Sequence, residues 1–257
     1  MAEPALAAYV SSHSRIAMQA ASLTTDDWPY FYQHEPGLPL SIILVSVAIL
    51  LTFGWFLRQV GGDGARVHPH FFFLGAGFML LEAQIVSRMA LLFGTTWVVN
   101  SIVVAGLLLL IVLANLTYKR MPGVSVAAFY ALLFATLALL YFLPVRLLFF
   151  ESAVTRAIAA TLALCLPVFF ASLIFIQSFS RANFQGRALG SNLFGALVGG
   201  LLESLSLWFG LRSLTIIAAL LYAGSLLGVF SRHALTASPD GVEGTAAADA
   251  SRGELLT

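Results

Sequence analysis

The sequence predicts an all-α fold, a polytopic integral membrane bundle of about seven transmembrane helices. Of its 257 residues, 60% are hydrophobic and only 10% are charged, and the mean hydropathy is +0.92. Soluble domains usually carry about 25% charged residues and at most about 50% apolar ones. The apolar runs are about 20 residues long, which suits a spanning helix, and they lack the alternation that barrel strands require.

Seven apolar runs are long enough to cross a bilayer. The third run is the most uniform, since only Asn100 and Ser101 are notably polar before Asn115. The fifth contains Pro167, which should kink its helix. The connections at 94–96 and 209–212 are very short, so each predicts a tight helical hairpin. The predicted spans are residues 39–57, 70–93, 97–117, 124–143, 153–177, 188–208 and 213–230.

The ends of the chain differ from the apolar middle. An amphipathic pattern predicts a short helix near the N-terminus, on the membrane surface or against the bundle. After it, Asp26 and Asp27 precede Trp28 and further aromatic residues, which suit the headgroup region of a membrane. The predicted organisation is an interfacial segment at 1–38, a transmembrane bundle at 39–230 and a flexible tail at 231–257.

The distribution of Lys and Arg predicts the orientation. With seven spans the termini lie on opposite sides, and most basic residues fall in the loops on the C-terminal side. We therefore expect the C-terminus to be cytoplasmic and the N-terminus external. The basic residues of the cytoplasmic side are Arg58, Arg66, Lys119, Arg120, Arg181, Arg187, Arg232 and Arg252.

The second span carries Glu82 and Arg88 within its apolar run. A charge at bilayer depth costs about 3 kcal/mol by insertion scales, so such charges are usually paired or functional. We predict one buried polar network between spans two, three and six, formed by Glu82 and Arg88 with Asn100, Asn192 and Glu203. The alternative is that the charges reach the interfaces or pin the helices without any substrate.

Small residues in two spans predict close helix contacts. Gly75 and Gly77 stand in LGAG, which lacks the strand and solvent-facing turn of a dinucleotide loop. Gly195 and Gly199 form a GxxxG motif in the sixth span, and Glu203 extends the same stripe by one turn. Such motifs let neighbouring backbones approach closely.

Several chemistries have no residues to support them. Retinal requires a lysine within the membrane, and Lys119 lies in a loop. His68 and His70 lie at an interface and lack a third metal ligand, while Cys165 has no second cysteine. The formal charge of +1 gives no basis for binding nucleic acid. We expect no cofactor, no metal and no catalytic residues, with membrane lipids as partners.

Three segments resemble a known family. They are TDDWPYFY, FFFLGAGFMLLEAQIVSRMALLFGTTWVVNSIVVAGLLLLIVLAN and SNLFGALVGGLLESLSLWFGLRSL. They are similar to the C-terminal membrane region of bacterial spermidine-synthase-like proteins, in which an aminopropyltransferase-like domain precedes the membrane helices. The resemblance covers most of 25–230 and implies a multi-pass protein of the bacterial cytoplasmic membrane.

The 24 residues before Thr25 contain no glycine-rich nucleotide loop and no alternating strands and helices. The positions that would carry aminopropyl transfer are therefore absent from this sequence. Either the chain is a standalone membrane module or it is part of a longer protein. The family also implies a cytoplasmic domain on the N-terminal side, which disagrees with the orientation predicted from the basic residues.

Three functions remain open. The leading hypothesis is a non-enzymatic module that docks into or anchors a larger membrane assembly with other proteins. The second is a small-molecule transporter, for instance of polyamines, in which buried carboxylates attract the substrate. The third is a membrane partner of an aminopropyltransferase-like enzyme.

Overall fold

The computed structural model describes Tyr9, Ser11, Thr25 and residues 27–30, 36–60, 67–94, 97–121, 123–148 and 150–236. Within these residues every regular element is helical, which confirms the all-α prediction. The long helices are α1 (Leu40–Val60), α2 (Pro69–Phe93), α3 (Trp97–Tyr118), α4 (Val126–Phe142), α5 (Ala153–Ser180), α6 (Gln185–Leu202) and α7 (Leu211–Thr236).

Four helical stretches are long and apolar enough to cross a membrane, by length and composition. They are Pro69–Phe93, Thr155–Ser180, Gln185–Phe209 and Leu211–Val229. Shorter apolar helices occupy Leu40–Trp55, Val103–Tyr118 and Val126–Phe142. The chain is therefore a helical membrane protein. Seven apolar helices stand at the seven predicted runs, and α7 continues to Thr236, past the predicted start of the tail at 231.

Local sequence signals account for where several helices begin and end. The side chains of Ser125 and Ser152 accept hydrogen bonds from the backbone of the first turns of α4 and α5, as N-cap residues do. Pro69 stands in the first turn of α2, where its missing N–H costs nothing. Gly94 and Gly210 have φ angles of 87° and 83°, which suit glycine and reverse the chain after α2 and before α7.

Helix α2 is the central element of the bundle. It packs along most of its length against α6 and α7 and also touches α3 and α5. Leu80, Leu81 and Ile85 on α2 are fully buried within this core. On the far side, α5 packs against both α3 and α4. The second predicted span is therefore the helix around which the others assemble.

Helix α1 lies at the edge of the bundle and packs loosely against it. Phe53 stacks on Phe194 of α6, with 4.7 Å between the ring centroids. Large apolar side chains around much of α1 are exposed, including Leu44, Leu51 and Trp55. In a membrane these side chains face lipid or another protein.

Candidate functional site

The five residues of the predicted polar network do not come together. No hydrogen bond or ion pair joins any two of them within the described part of the chain. Glu82 and Glu203 are each half-buried, Asn192 is half-buried on α6, and Asn100 is exposed on α3. Only Arg88 is fully buried, and its partner lies on another helix. The helical period places Glu82 and Arg88 on different faces of α2, which explains part of this separation.

Arg88 completes the hydrogen bonding at the end of α4. Its Nη1 donates to the backbone oxygen of Leu140, at a distance of 2.9 Å. In a continuing helix that oxygen would accept from residue 144, but residue 144 is proline and has no N–H. The guanidinium therefore supplies the missing donor, and its positive charge lies at the negative end of the α4 dipole.

All four glycines singled out in the sequence lie where two helices meet. A Cβ atom on Gly195 would collide with the backbone oxygen of Phe72, and one on Gly75 with that of Asn192. Gly199 faces the backbone of α2 in the same way. Gly77 instead faces α7, where a Cβ would lie 2.9 Å from the Tyr222 ring. The α2–α6 contact thus brings the two backbones as close as small-residue motifs allow.

The acidic and aromatic segment before α1 binds the start of α7. The carboxylate of Asp27 accepts the N–H of Arg212 at 2.7 Å, and its backbone oxygen accepts the N–H of Leu211 at 2.7 Å. The indole of Trp28 donates to the backbone oxygen of Leu207 at 2.9 Å. An anionic group at a helix N-terminus is stabilised by the unpaired N–H groups and the dipole. Asp26 lies outside the described residues.

A buried polar cluster that sequence reasoning missed links α2, α4 and α7. Ser225 Oγ lies 2.7 Å from His70 Nδ1 and 2.8 Å from the Tyr130 hydroxyl. His70 Nδ1 also lies 3.0 Å from the backbone oxygen of Ser225. All three side chains are buried. The signal available in the sequence was a polar side chain inside each apolar run, but the pairing depends on the packing of the helices.

A cavity of about 450 Å³ opens at the end of the bundle next to this cluster. It lies where α2, α4 and α6 begin and where α5 and α7 approach their ends. Its described lining contains basic and neutral polar side chains and no acidic one. The polar lining residues are His68, His70, Gln177, Ser178, Arg181, Asn183 and Arg187.

Hydrogen bonds fix the mouth of this cavity. The backbone N–H of His68 donates to Ser191 Oγ at 2.8 Å, and Ser191 Oγ donates to the backbone oxygen of Arg187 at 2.8 Å. The start of α2 is therefore hydrogen-bonded to the second turn of α6. The guanidinium of Arg187 lies over the Phe184 ring, 5.3 Å from its centroid.

Gln177 lies at the inner wall of the cavity. It is only 2% exposed, and its Nε2 donates to the backbone oxygen of Val124 at 2.9 Å. Because that carbonyl accepts only from a donor, the orientation of the amide is fixed, and Oε1 is an acceptor. This Oε1 is buried and has no hydrogen-bond partner among the described residues.

Two adjoining cavities of about 270 and 240 Å³ separate α1 from α6. We call the space they form the α1–α6 groove. Its walls combine apolar side chains with the small or hydroxyl-bearing residues Ser41, Ser46, Gly200 and Ser204. A Cβ added at Gly200 would meet the Met79 side chain of α2 at 3.7 Å or more. The two cavities show that the bundle leaves room between α1 and α6.

The described residues contain no group of three or more His, Cys, Asp or Glu side chains that could hold a metal ion. Comparison of the chain with family models, curated proteins and solved structures gave no match.

Proposed function

We propose that this chain is a non-enzymatic membrane module that docks into, or anchors, a larger membrane assembly. The observation that carries the proposal is the contrast between the two sides of α6. On one side, glycines bring α6 into backbone contact with α2. On the other side, α6 and α1 leave the α1–α6 groove between them.

The chemistry of the groove favours a helix of another protein as its occupant. Glycine and serine are enriched where membrane helices pack together, because they permit close approach and offer hydroxyl groups for hydrogen bonds between helices. A helix surface that contacts only acyl chains gains no packing or hydrogen bonding from glycine and serine. The proposed partner is therefore a protein with a transmembrane helix that presents small or polar residues.

The proposal includes the finer features that the sequence predicts. These are seven membrane spans, a bacterial cytoplasmic membrane, a cytoplasmic C-terminus and a relation to the membrane region of spermidine-synthase-like proteins. That relation rests on the three sequence segments alone.

Transport of a polyamine has less support from the described residues. The cavity at the end of the bundle has two arginine side chains on its walls, whose positive charge disfavours a polycation. Neither Glu82 nor Glu203 lines the cavity at the end of the bundle or the α1–α6 groove.

Photocrosslinking from the groove tests the docking proposal. The photoreactive residue p-benzoylphenylalanine is placed at Val45, which lines the groove, and separately at Leu109, an exposed apolar position on α3. In native membranes we expect one discrete protein adduct from Val45 and only lipid adducts from Leu109.

Filling the groove supplies the decisive control. Gly200→Leu should abolish the Val45 adduct, because Gly200 lines the groove and a leucine side chain would take up space in it. The melting temperature of the purified variant shows whether the adduct is lost without loss of the fold. Equal adducts from Val45 and Leu109, or a Val45 adduct that survives Gly200→Leu, would contradict the proposal.

A further inference from the structure

We propose that a cavity in the side of the bundle binds a membrane-dissolved alcohol or phenol built on a single apolar ring. This space, which we call the side cavity, has a volume of about 200 Å³ and lies where α2, α3, α5 and α6 adjoin. It shares no lining residue with the α1–α6 groove, so the inference does not depend on docking.

The first observation is an amide without a protein partner. Asn192 lines the side cavity and is half-buried. Its side chain forms no hydrogen bond with a described residue, and neither amide atom is fully buried. The residue lies inside the apolar stretch Gln185–Phe209, about 10 Å from its start at a rise of about 1.5 Å per residue. Acyl chains offer no hydrogen bond at this depth, so a ligand that supplies one is favoured.

The close contact of α2 and α6 positions this amide at the cavity wall. A Cβ added at Gly75 would collide with the backbone oxygen of Asn192 and would lie 3.0 Å from its Oδ1. The Asn192 side chain therefore lies directly on the surface of α2. Leu74 and Phe78 of α2 line the same cavity, so a molecule bound there is within reach of the amide.

The second observation is the size and apolar character of the cavity. Apart from Ser172 and Asn192, its described lining is apolar, and Phe78 and Phe175 contribute aromatic rings. An apolar protein cavity of about 150 Å³ is known to bind benzene, so about 200 Å³ suits one ring with a short substituent. Aromatic side chains add favourable edge-on or offset contacts with an aromatic ligand.

The third observation selects a hydroxyl group on that ring. An asparagine amide offers a donor and an acceptor, and a hydroxyl group can donate and accept at once. The Ser172 hydroxyl already donates to the backbone oxygen of Val168 at 2.8 Å, so its oxygen is left as an acceptor. A carbonyl ligand would pair with the donor of Asn192 alone. A hydroxyl-bearing ligand can use the acceptors as well.

The side cavity can be reached from the membrane. Helices α3 and α6 both flank α2 but do not pack closely against each other. Leu108 lies one turn before the lining residue Ile111, and Leu193 follows Asn192; both leucines are exposed. An apolar molecule dissolved in the bilayer therefore has a path between these two helices that avoids water.

Binding of two matched probes to the purified full-length chain tests the inference. 4-Propylphenol and 4-propyltoluene differ only in a hydroxyl group that replaces a methyl group of similar size. Each probe is titrated into the protein in detergent, and saturation-transfer difference NMR gives its dissociation constant relative to its concentration in the micelle. We expect 4-propylphenol to bind about tenfold more tightly, the effect of one hydrogen bond gained in apolar surroundings.

Three variants assign the binding to the side cavity. Asn192→Leu should remove the preference for the phenol, because leucine has a similar volume and no polar group. Ile111→Trp, which fills the cavity from a half-buried position on α3, should weaken both probes. Asn100→Leu, at an exposed polar residue outside the cavity, should change neither. The two probes and Ile111→Trp test the site even if Asn192→Leu fails to fold.

Equal binding of the two probes by the unaltered protein would overturn the inference. A preference for the phenol that survives Asn192→Leu, or binding that Ile111→Trp leaves unchanged, would overturn it too, since either result would place the bound probe outside the side cavity.

Discussion

At the scale of single residues, the two charges of α2 have different roles. Arg88 is buried and donates to a backbone oxygen that Pro144 leaves without an intrahelical partner. Glu82 is half-buried and forms no hydrogen bond or ion pair within the described residues. Of the two charged residues on this helix, Arg88 therefore forms a hydrogen bond to the backbone of a neighbouring helix and Glu82 does not.

This difference predicts the outcome of two substitutions. Arg88→Met should lower the free energy of unfolding by about 1–3 kcal/mol, because the Leu140 oxygen is left buried without a donor. Glu82→Leu should leave it within about 0.5 kcal/mol, because no partner is lost. Thermal unfolding of the purified variants in detergent measures both. If Glu82→Leu proves the more damaging, the assignment of roles is wrong.

Arg88 also shows what the sequence could not provide. An arginine in an apolar run was visible at once, and so was Pro144. Arg88 compensates for Pro144 only because α4 ends against α2. The periodicity of the two helices does not indicate that contact. The glycines were easier to place, because a GxxxG motif itself predicts a helix contact, although it does not name the partner helix. The cluster of His70, Ser225 and Tyr130 was visible only as one polar side chain in each of three apolar runs, with nothing in the sequence to pair them.

At the scale of elements, α2 and α6 approach each other more closely than ordinary side chains allow. The helix boundaries were predictable, because apolar runs, proline and glycine mark them along the chain. The order of packing was not, since every helix here is apolar around much of its circumference. Helix α6 packs next to α2 because glycines on each helix face the backbone of the other at the same level of the bundle.

Alanine substitution along α6 tests this contact. Gly195→Ala should destabilise the protein, because the new Cβ would strike the Phe72 backbone and force the helices apart. Gly190→Ala on the same helix meets nothing within 4 Å, so it should be neutral or raise stability by up to about 1 kcal/mol through helix propensity. Melting temperatures in detergent give the comparison. Equal effects would show that the close contact does not limit stability.

At the scale of the whole molecule, the described helices place the loops at two ends of one bundle. The ends of α3 and α5 lie at the same end of the bundle as the start of α2. Glu151, just before α5, and Gly210, just before α7, lie at the opposite end. With seven spans and the proposed orientation, the first end is cytoplasmic. Basic residues, the cavity of about 450 Å³ and the start of α6 all belong to that end.

Cysteine labelling tests this arrangement. In a Cys165→Ala background, Asn183→Cys should be protected from a membrane-impermeant maleimide in intact cells and should react after the cells are opened. Glu151→Cys should react in intact cells, since it lies at the other end of the bundle. Both native side chains are exposed in the structure, so access depends on the side of the membrane. The reverse pattern would invert the orientation, and identical labelling would exclude an odd number of crossings between the two positions.

The contacts of Asp27 and Trp28 have a consequence for the order in which the protein is made. These residues precede α1, yet they bind Leu207, Leu211 and the N–H of Arg212, which are synthesised after six of the seven helices. The segment before α1 therefore lacks these partners until the hairpin between α6 and α7 has formed. A chain halted before α7 would lack both hydrogen bonds of Asp27.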